Sequence, residues 1–337
     1  MTPRTVSGTS RTVEGIFQKY LPAELPEIED LQTAIPQLAK NEQLVAAITR
    51  AARRIPTRHK VLLGDAREIQ LADNSIHLVL TSPPYWTLKE YRDSDGQMGH
   101  IVDYDQFVSE LERVWQKCYR ALVPGGRLIC VVGDVCLSRR KNDGRHTVVP
   151  LHASIQEGCR KLGFDNLSPI IWHKIANAVY EVQNGTSGFL GKPYEPNAVI
   201  KNDIEYILME RKPGAYRAPE AATRVLSLIG ANEHKLWFQQ IWTGLTGAST
   251  RYHPAPFPVE LADRLVRMFS FVGDTILDPF LGTGTTAVAA ALSGRNSVGI
   301  EIDSHYFHNA VARIREETSS LFHKVTIDAD GDIENGV

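Results

Sequence analysis

Short apolar runs that alternate with helical patterns are the feature that most restricts how this chain can fold. The clearest unit runs from a strand pattern at residues 275–277, through a glycine-containing loop, to a helical pattern at 285–292 and a second strand pattern at 296–302. Apolar runs that end in glycine and an acid recur at residues 61–65 and 127–134. Strands that alternate with helices in this way form a mostly parallel sheet with helices on both faces. We therefore predict an α/β, doubly wound fold.

Composition allows a large core and argues against several classes of protein. With 337 residues, of which 43% are hydrophobic, the chain can bury one large domain with an insert, or two domains. No apolar run approaches the roughly 20 residues that span a bilayer, and the amino terminus lacks a secretory pattern, so we expect a cytoplasmic protein without a membrane partner. The four cysteines show no paired spacing, which argues against a metal site or a disulfide framework.

The first site-forming stretch is Thr81-Ser82-Pro83-Pro84-Tyr85-Trp86, which follows an apolar run at residues 75–80. Ser82 is thereby predicted at the carboxyl end of a strand, where ligands bind in an open parallel sheet. Two prolines fix the backbone and remove two donors, so the carbonyl groups beside them hold one orientation. Rigid acceptors of this kind suit a ligand with an NH2 group, although a strand followed by an ordinary proline loop has the same local pattern.

The second stretch is the loop Asp278-Pro279-Phe280-Leu281-Gly282-Thr283-Gly284-Thr285-Thr286. Its glycines allow a ligand to approach the backbone closely, and the helix that begins there offers free N–H groups. Glu301, at the end of the next strand pattern, is placed to accept hydrogen bonds from ribose hydroxyls. The spacing also fits a dinucleotide fingerprint. Asp278 favours S-adenosylmethionine instead, because a carboxylate repels a pyrophosphate and attracts an ammonium or sulfonium group.

Together these two stretches resemble the DNA amino-methyltransferases of restriction-modification systems. The catalytic motif comes first and the cofactor motif last, an order similar to that of the β group, which is a circularly permuted arrangement. The resemblance extends from Val61 to about Arg315. It implies a seven-stranded, S-adenosylmethionine-dependent methyltransferase fold with an inserted recognition region, and double-stranded DNA as the partner. Such systems also contain a restriction endonuclease, a companion with which no direct contact is implied.

Guided by this resemblance, we divide the chain into five parts. They are a helical N-terminal appendage at residues 1–58, the catalytic half of the methyltransferase domain at 59–212, a target-recognition insert at 213–252, the cofactor-binding half at 253–320 and a C-terminal tail at 321–337. The insert contains Trp237, Phe238 and Trp242, for which a small hydrophobic core of the insert is the alternative to contacts with bases.

The resemblance also implies roles for individual residues. The catalytic residues are Ser82, Pro83, Pro84 and Tyr85. The cofactor-binding residues are Asp65, Thr81, Pro254, Asp278, Phe280, Gly282, Gly284, Thr285 and Glu301. Pro254 belongs to a proline-rich segment that often carries lysine in this family where the present chain has Phe257, so Phe257 receives no polar role.

An exocyclic amine of a base is a poor nucleophile, because its lone pair is delocalised into the ring. The Ser82 hydroxyl and the Pro83 carbonyl are placed to accept its two hydrogens and to aim the lone pair, so that methyl transfer is an in-line displacement without a covalent intermediate. The chain has no Pro-Cys dipeptide of the kind that carbon-5 cytosine methyltransferases use. A base inside a duplex must be flipped out to reach this site, and we expect Tyr85 to stack on its face.

Cytosine N4 is the predicted target, because serine at the first motif position goes mostly with N4-cytosine in this family and aspartate mostly with N6-adenine. N6-adenine methylation by the same fold is the closest alternative. A methyltransferase that acts on RNA or on a protein glutamine amide is another. A nucleic-acid-binding module without turnover is an alternative of a different class.

Contacts to DNA must be local, because the formal net charge of −2 gives no global sign of nucleic-acid binding. Four basic residues in one loop are predicted to bind phosphates: Arg139, Arg140, Lys141 and Arg145. A charge run is also typical of a plain solvated surface. Recognition of the DNA sequence is expected to fall to residues 174–203 and 213–252, which lie outside the motifs.

Overall fold

The computed structural model describes residues 15–89, 91–92, 94–137, 139–174, 202–247, 257–319 and 324–330. Within them the chain alternates between strands and helices, as the apolar runs predict. In chain order the strands are β1 (Thr57–Leu63), β2 (Ile76–Thr81), β3 (Leu122–Val132), β4 (Val135–Leu137), β5 (Thr147–Val149), β6 (Asp165–His173), β7 (Ile204–Arg211), β8 (Ile241–Trp242), β9 (Thr275–Asp278), β10 (Asn296–Glu301) and β11 (Val325–Asp330). The helices are α1 (Leu31–Lys40), α2 (Glu42–Ala52), α3 (Tyr104–Ala121), α4 (Leu151–Lys161), α5 (Ala221–Leu226), α6 (Ala231–Trp237), α7 (Val259–Phe269), α8 (Thr285–Leu292) and α9 (Ser304–Thr318).

Nine of the described strands form one mixed sheet in the order β11-β1-β10-β9-β2-β3-β7-β6-β8, while β4 and β5 pair with each other. Neighbouring strands are parallel except at β7, which runs antiparallel to both β3 and β6. The strands β9 and β10, late in the sequence, lie in the centre between β1 and β2, as a circular permutation requires. The doubly wound, mostly parallel fold is thus confirmed.

The prediction of seven strands omits the two edge strands of the sheet. The segment predicted as a C-terminal tail contributes β11, which pairs in parallel with β1. Lys60 on β1 forms an ion pair with Asp330 on β11, with 2.8 Å between Nζ and Oδ2. At the other edge, β8 has only two residues. β8 escapes prediction because it has only two residues, and β11 because it lies outside the motifs. The pairing of both strands depends on a sheet that is already formed.

The register of the sheet brings the ends of the predicted strands to one edge. Leu63 at the end of β1 lies opposite Glu301, and Gly299 lies opposite Asp278 at the end of β9. In β2, Val79 lies opposite Leu277, so β2 and β9 end side by side. Because the residues that follow β1, β2, β9 and β10 leave the sheet together, both sequence motifs emerge at this carboxyl edge.

Helix α3 covers one face of the sheet with the apolar stripe that the sequence predicts. The buried residues of that stripe are Phe107, Leu111, Val114 and Cys118. The helix ends at Ala121 and β3 begins at Leu122, whereas the pattern predicts a strand only from Arg127. Gly125, with a φ of 77°, allows the chain to bend within this early part of the strand. No helix in the described segments is both long and apolar enough to cross a membrane.

The appendage packs against the insert. Ile48 of α2 shares one buried cluster with Val225 of α5 and with Leu228. β1 begins at Thr57, so the predicted boundary between residues 58 and 59 falls inside a strand. The two segments thus contribute to a common apolar cluster, although the division of the chain into functional parts stays a prediction.

Two of the three aromatic residues singled out in the insert belong to the core. Trp237 and Trp242 are buried in the same cluster as Leu261 of α7, and the Trp242 indole N–H donates to the Trp237 carbonyl at 2.9 Å. Phe238 differs, because 48% of it is exposed. The core is that of the main sheet, and not the small separate core that the sequence suggests.

Glu210 in β7 is a buried acid outside the predicted site, with none of its surface exposed. Burial raises the pKa of Glu210 to about 7, and the Gln156 side chain opposes only part of this rise. The folded state therefore holds the proton more tightly than the unfolded chain, in which the carboxyl has its usual pKa of 4.5. By linkage, the contribution of Glu210 to stability declines as the pH rises from about 4.5 to about 7.

Replacing Glu210→Gln is expected to raise the thermal unfolding temperature at pH 8, because the glutamine needs no buried charge. The gain corresponds to about 3 kcal/mol at pH 8 and shrinks toward zero near pH 4.5. Thermal unfolding of both proteins at pH 5 and pH 8 measures it. Glu157→Gln, at an exposed glutamate on α4, serves as the control. An equal gain for Glu210→Gln at both pH values contradicts the assignment.

Candidate active site

A pocket opens at the carboxyl edge of the sheet, between the residues that follow β2 and those that follow β9 and β10. It encloses about 580 Å³, counting the open solvent at its mouth. The predicted site residues that line it are Asp65, Ser82, Pro84, Phe280, Gly282 and Glu301. Residues assigned to catalysis and to cofactor binding from separate motifs thus share one cavity.

Asp278 joins the two motifs through buried hydrogen bonds. The Thr81 hydroxyl donates to Oδ1 at 2.6 Å, the Thr286 hydroxyl to Oδ2 at 2.7 Å, and the Phe280 N–H to Oδ1 at 3.1 Å. Burial raises the pKa of Asp278 to about 6, although these three donors favour the carboxylate. Asp278 is 2% exposed and does not line the pocket. Its carboxylate therefore connects β2 to β9, instead of facing an ammonium group as the sequence suggests.

The loop before α8 is shaped by Gly284, which has a φ of 79° and stands at the amino end of the helix. A Cβ at this position would lie 3.2 Å from the side chain of Ile314 in α9, so a larger residue meets both strain and crowding. Arg313 braces the loop, because its Nη1 donates to the hydroxyls of Thr283 at 3.0 Å and Thr285 at 3.1 Å. Gly284 and Thr285 thus shape the loop and do not line the pocket.

Glu301 faces the pocket and is held by two backbone N–H groups. The N–H of Gly282 donates to its Oε2 at 2.8 Å, and that of Asp303 donates to its Oε1 at 3.0 Å. Burial raises the pKa of Glu301 to about 7, and these two bonds oppose the rise. Each carboxylate oxygen retains a further lone pair. The ionised group therefore fits the two hydroxyls of a ribose.

Asp65, which follows β1 and lines the pocket, is held in its ionised form. Its Oδ2 lies 2.5 Å from Nη2 of Arg67, which also pairs with Glu110 at 2.7 Å and donates to the Gly96 carbonyl at 2.9 Å. Burial raises the pKa of Asp65, but the bonds from Arg67 outweigh burial and hold this pKa below its usual value. Asp65 is therefore an ionised acceptor, suited to an amino group such as that of adenine.

Ser82 lines the pocket, and its hydroxyl donates to the Tyr85 hydroxyl at 3.3 Å. Pro83 and Tyr85 are buried behind the pocket surface. The Tyr85 hydroxyl reaches the Val131 carbonyl at 3.5 Å, and only 5% of this residue is exposed. Burial raises the pKa of Tyr85, so the phenol is neutral. In this arrangement the face of the Tyr85 ring is covered and is not presented for stacking.

Several pocket residues received no role in the sequence analysis. They are Gly64, Ala66, Tyr91, Gly96, Gln97, Met98, Pro279, Ile300, Ile302 and Tyr306. Residues 94–98 show neither a motif nor a periodic pattern, and a long-range hydrogen bond from the Ser94 hydroxyl to Asp303 at 2.7 Å holds them beside β10. For the others, proximity to a motif residue is the only available signal. Arg67, which fixes Asp65, is of this kind.

The basic loop connects β4 to β5, and this pair of short strands follows the carboxyl end of β3. Arg139, Arg140 and Arg145 are exposed there, and Lys141 lies in the same turn. The loop therefore leaves the sheet at the same edge as the pocket. Pro254 lies outside the described residues, as do residues 175–201 and 248–252 of the segments predicted to recognise DNA.

Comparisons with known proteins identify the family. A family model described as DNA methylase, for N6 and N4 methyltransferases, matches residues 76–312. The Type II methyltransferase M.MjaI of Methanocaldococcus jannaschii is 38% identical over 281 residues, which cover 74% of this chain and 88% of the relative. TTHA0409 of Thermus thermophilus, a putative DNA modification methylase complexed with S-adenosyl-L-methionine, is 48% identical with a TM-score of 0.65, over 81% of this chain and 100% of its own. The cytosine-N4-specific PvuII DNA methyltransferase is 16% identical with a TM-score of 0.54, over 82% of this chain and 98% of its own, and shows a shared fold.

These matches agree with the geometry of the pocket and remove the dinucleotide-binding alternative. The family model covers β2 and β9, which carry the two motifs, and the loops between them. S-adenosylmethionine is the cofactor, and the motif order is that of the β group. The chain therefore belongs to the N4/N6 family of DNA methyltransferases, as a β-group amino-methyltransferase related to the Type II enzymes.

Proposed function

We propose that this enzyme methylates the exocyclic N4 of cytosine within a specific DNA sequence. The observation that carries the proposal is Ser82, because serine at the first position of this motif goes mostly with N4-cytosine in the family. The Ser82 side chain lines the same pocket as Asp65 and Glu301. An amine bound at Ser82 would therefore lie beside the cofactor-binding residues.

S-adenosylmethionine supplies an electrophilic methyl group when it is bound by Asp65, Glu301 and the loop before α8. The chain itself supplies the position of the nucleophile. In the proposed mechanism the Ser82 hydroxyl accepts one hydrogen of the amine and the Pro83 carbonyl accepts the other, which turns the nitrogen lone pair out of the base plane. Acceptors that are already in position lower the barrier because they need no reorganisation during the reaction.

The target base is proposed to leave the duplex, since Ser82 is partly buried within the pocket. Tyr85 supports this state in one of two ways. Its hydroxyl accepts a hydrogen bond from Ser82 and fixes that side chain. Stacking of its ring on the flipped base, which the family resemblance implies, requires that the base displace the groups now covering the ring.

Incubation of the purified enzyme with duplex DNA and labelled cofactor tests the proposal. The DNA is digested to nucleosides, and the labelled nucleoside is identified by mass spectrometry. We expect N4-methylcytosine. Labelled N6-methyladenine contradicts the choice of base, and cofactor binding without any labelled nucleoside contradicts methyl transfer to DNA.

The exposed arginines of the basic loop are proposed to contact DNA phosphates. Replacing Arg139, Arg140 and Arg145 together with glutamine should weaken binding to every DNA sequence and reduce the slope of log affinity against log salt by about 2 to 3. Fluorescence anisotropy at several salt concentrations measures this slope. As a control, Arg58→Gln with Lys60→Gln removes two cations on β1 that pair with Asp328 and Asp330. A slope that the triple replacement leaves unchanged contradicts the phosphate contacts.

Affinity for S-adenosylmethionine is expected to rise with pH up to about 7, because the free Glu301 carboxyl has a pKa of about 7. Only its ionised form accepts two ribose hydroxyls, so binding at lower pH must release a proton. The Kd should fall by up to tenfold per pH unit between about pH 5 and 7, and level off above. Calorimetry at four pH values measures this. Glu301→Gln should bind more weakly at pH 8 and lose most of the slope, whereas a slope that persists in this variant assigns the proton to another group.

The proposed partner is double-stranded DNA. The family resemblance also leads us to propose a companion restriction endonuclease and a cytoplasmic location. In the described part of the chain, no group of three or more histidine, cysteine, aspartate or glutamate residues is arranged to bind a metal ion. The proposed chemistry depends on positioned acceptors and on the cofactor.

A further inference from the structure

The strand order separates the two sides of the methyl-transfer site. Ser82 follows β2, and the cofactor pocket lies on the side of β9, β10 and β1. On the other side of β2 the sheet continues through β3, β7 and β6. A base with its amine at Ser82 and its methyl donor on the β9 side must therefore extend its ring toward the ends of β3, β7 and β6.

Gly133, directly after β3, lies beside this path. A Cβ at this position would lie 3.4 Å from Cγ of Glu205 and 3.5 Å from Cε2 of Tyr85. Gly133 is thus flanked by the ring of the catalytic motif on one side and by Glu205 on the other. The first residues of β7 therefore lie next to the space into which the target base is expected to extend, which we call the base side of the site.

Glu205 holds the ammonium group of Lys174, which follows β6. Oε1 of Glu205 lies 2.5 Å from Nζ of Lys174, and the exposed fractions of the two side chains are 9% and 29%. Nζ also lies 5.4 Å from the centre of the Trp172 ring. Glu205 takes up one of the three N–H donors of the ammonium group. The ammonium group of Lys174 thus has a fixed position, is partly accessible to solvent, and has two further N–H donors.

The ion pair is not needed to join β6 to β7. These strands are already paired in antiparallel register, with Trp172 opposite Glu205, and the Lys174 N–H donates to the Asp203 carbonyl at 3.0 Å. A partly buried ion pair adds little net stability, because desolvation offsets much of the attraction. The ammonium group is held by a glutamate that lies beside Gly133 and close to Tyr85, so it is placed for a contact to the substrate.

We infer that Lys174, oriented by Glu205, donates a hydrogen bond to the 2-carbonyl oxygen of the flipped target cytosine. This inference rests on the proposed function. A cytosine with its amine at Ser82 turns an edge that carries only acceptors, the ring nitrogen and the carbonyl oxygen, toward the base side. Adenine carries one ring nitrogen and then a C–H group at the corresponding positions, so it leaves the ammonium group without this acceptor. Lys174 is thereby a specificity-determining residue for the base.

A cycle that combines an enzyme variant with an altered substrate tests the inference. The substrate is a duplex in which the target cytosine is replaced by the C-nucleoside of 2-aminopyridine, which keeps the amine and the ring nitrogen but lacks the carbonyl. At pH 8 the wild-type enzyme should lose about 10- to 100-fold in kcat/KM on this duplex. The Lys174→Met variant should have a kcat/KM on cytosine that is lower than that of the wild type by a similar factor. When the analogue replaces cytosine, the kcat/KM of this variant should fall by less than about a further threefold. Glu205→Gln leaves Lys174 in place but holds its ammonium group less firmly. Its kcat/KM on cytosine should therefore fall by a smaller factor, again with a reduced further loss on the analogue.

Lys60→Met is the matched control, because it also breaks an ion pair between a lysine and a carboxylate of the sheet and leaves the site untouched. It should lose the same factor on the analogue as the wild type does. If Lys174→Met loses equal factors on both duplexes relative to wild type, Lys174 acts on structure alone and the inference is overturned while N4-cytosine methylation stands. Methylation of adenine in place of cytosine by the wild-type enzyme overturns the proposed function, and this inference with it.

Discussion

Replacing Ser82→Ala is expected to lower turnover by about 100- to 1,000-fold, as the loss of one positioned hydrogen-bonding group in an active site typically does. The Ser82 side chain lines the pocket, and its hydroxyl is bonded to the Tyr85 hydroxyl. Because this bond is made to Tyr85, which has no assigned role in cofactor binding, the Kd for S-adenosylmethionine should change by less than about threefold. Single-turnover methyl transfer and calorimetry measure the two quantities on the same protein.

Ser154→Ala provides a control of the same chemistry. The Ser154 hydroxyl on α4 accepts a hydrogen bond from the Tyr104 hydroxyl at 2.9 Å, so this change also removes a serine partner from a tyrosine. It does not line the pocket and should leave turnover within about twofold of wild type. If Ser82→Ala keeps more than a third of wild-type turnover, or loses cofactor affinity in proportion to turnover, the role of Ser82 is wrong.

Replacing Asp278→Ala is expected to damage stability and cofactor binding together. The change leaves two buried hydroxyls and one N–H without their acceptor, at a cost of about 3 kcal/mol or more. Those groups belong to Thr81, Thr286 and Phe280, so the end of β2 loses its hydrogen bond to Asp278. Among the hydrogen bonds of the described residues, only the longer one from the Thr286 hydroxyl to the Leu80 carbonyl, at 3.4 Å, still joins β2 to α8. We expect the affinity for S-adenosylmethionine to fall at least about tenfold as a result. Chemical denaturation and calorimetry measure both effects.

Asp278→Asn separates charge from hydrogen bonding. The amide keeps one acceptor oxygen and adds an NH2 donor that a threonine hydroxyl can accept, so the loss of stability should be about 1 to 2 kcal/mol. The mild effect also follows from the raised pKa of about 6, since the buried carboxyl gives up its charge readily. Full stability and affinity in Asp278→Ala would show that the two motifs are held together by packing alone.

The positions of both motifs were predictable because the end of a parallel strand is where a site forms. Thr81 and Asp278 are 197 residues apart, and the expectation that they meet follows from two strand patterns and the resemblance to one family. The direction in which Asp278 points was not predictable. A local pattern places a carboxylate at a strand end, but only the packed loop decides whether it meets a ligand or two threonine hydroxyls.

Other features depend on pairing across long distances. Nothing in residues 91–98 predicts that Tyr91 and Met98 line the pocket, because Ser94 is tied to Asp303 only in the folded chain. In the sequence, Lys174 and Glu205 are indistinguishable from other charged residues. Their ion pair forms only because the antiparallel pairing of β6 and β7 brings them together. Ile48 likewise looks like the apolar face of an isolated helix, and its partners in the insert appear only in the structure.

Sequencing of modified bases in DNA exposed to the purified enzyme tests the central claim most directly, because it reports the base, the modified atom and the surrounding sequence at once. We predict methylation of cytosine at N4, confined to one short sequence context and absent with Ser82→Ala. Methylation of adenine, or modified cytosines scattered without a shared context, would contradict a site-specific N4-cytosine methyltransferase.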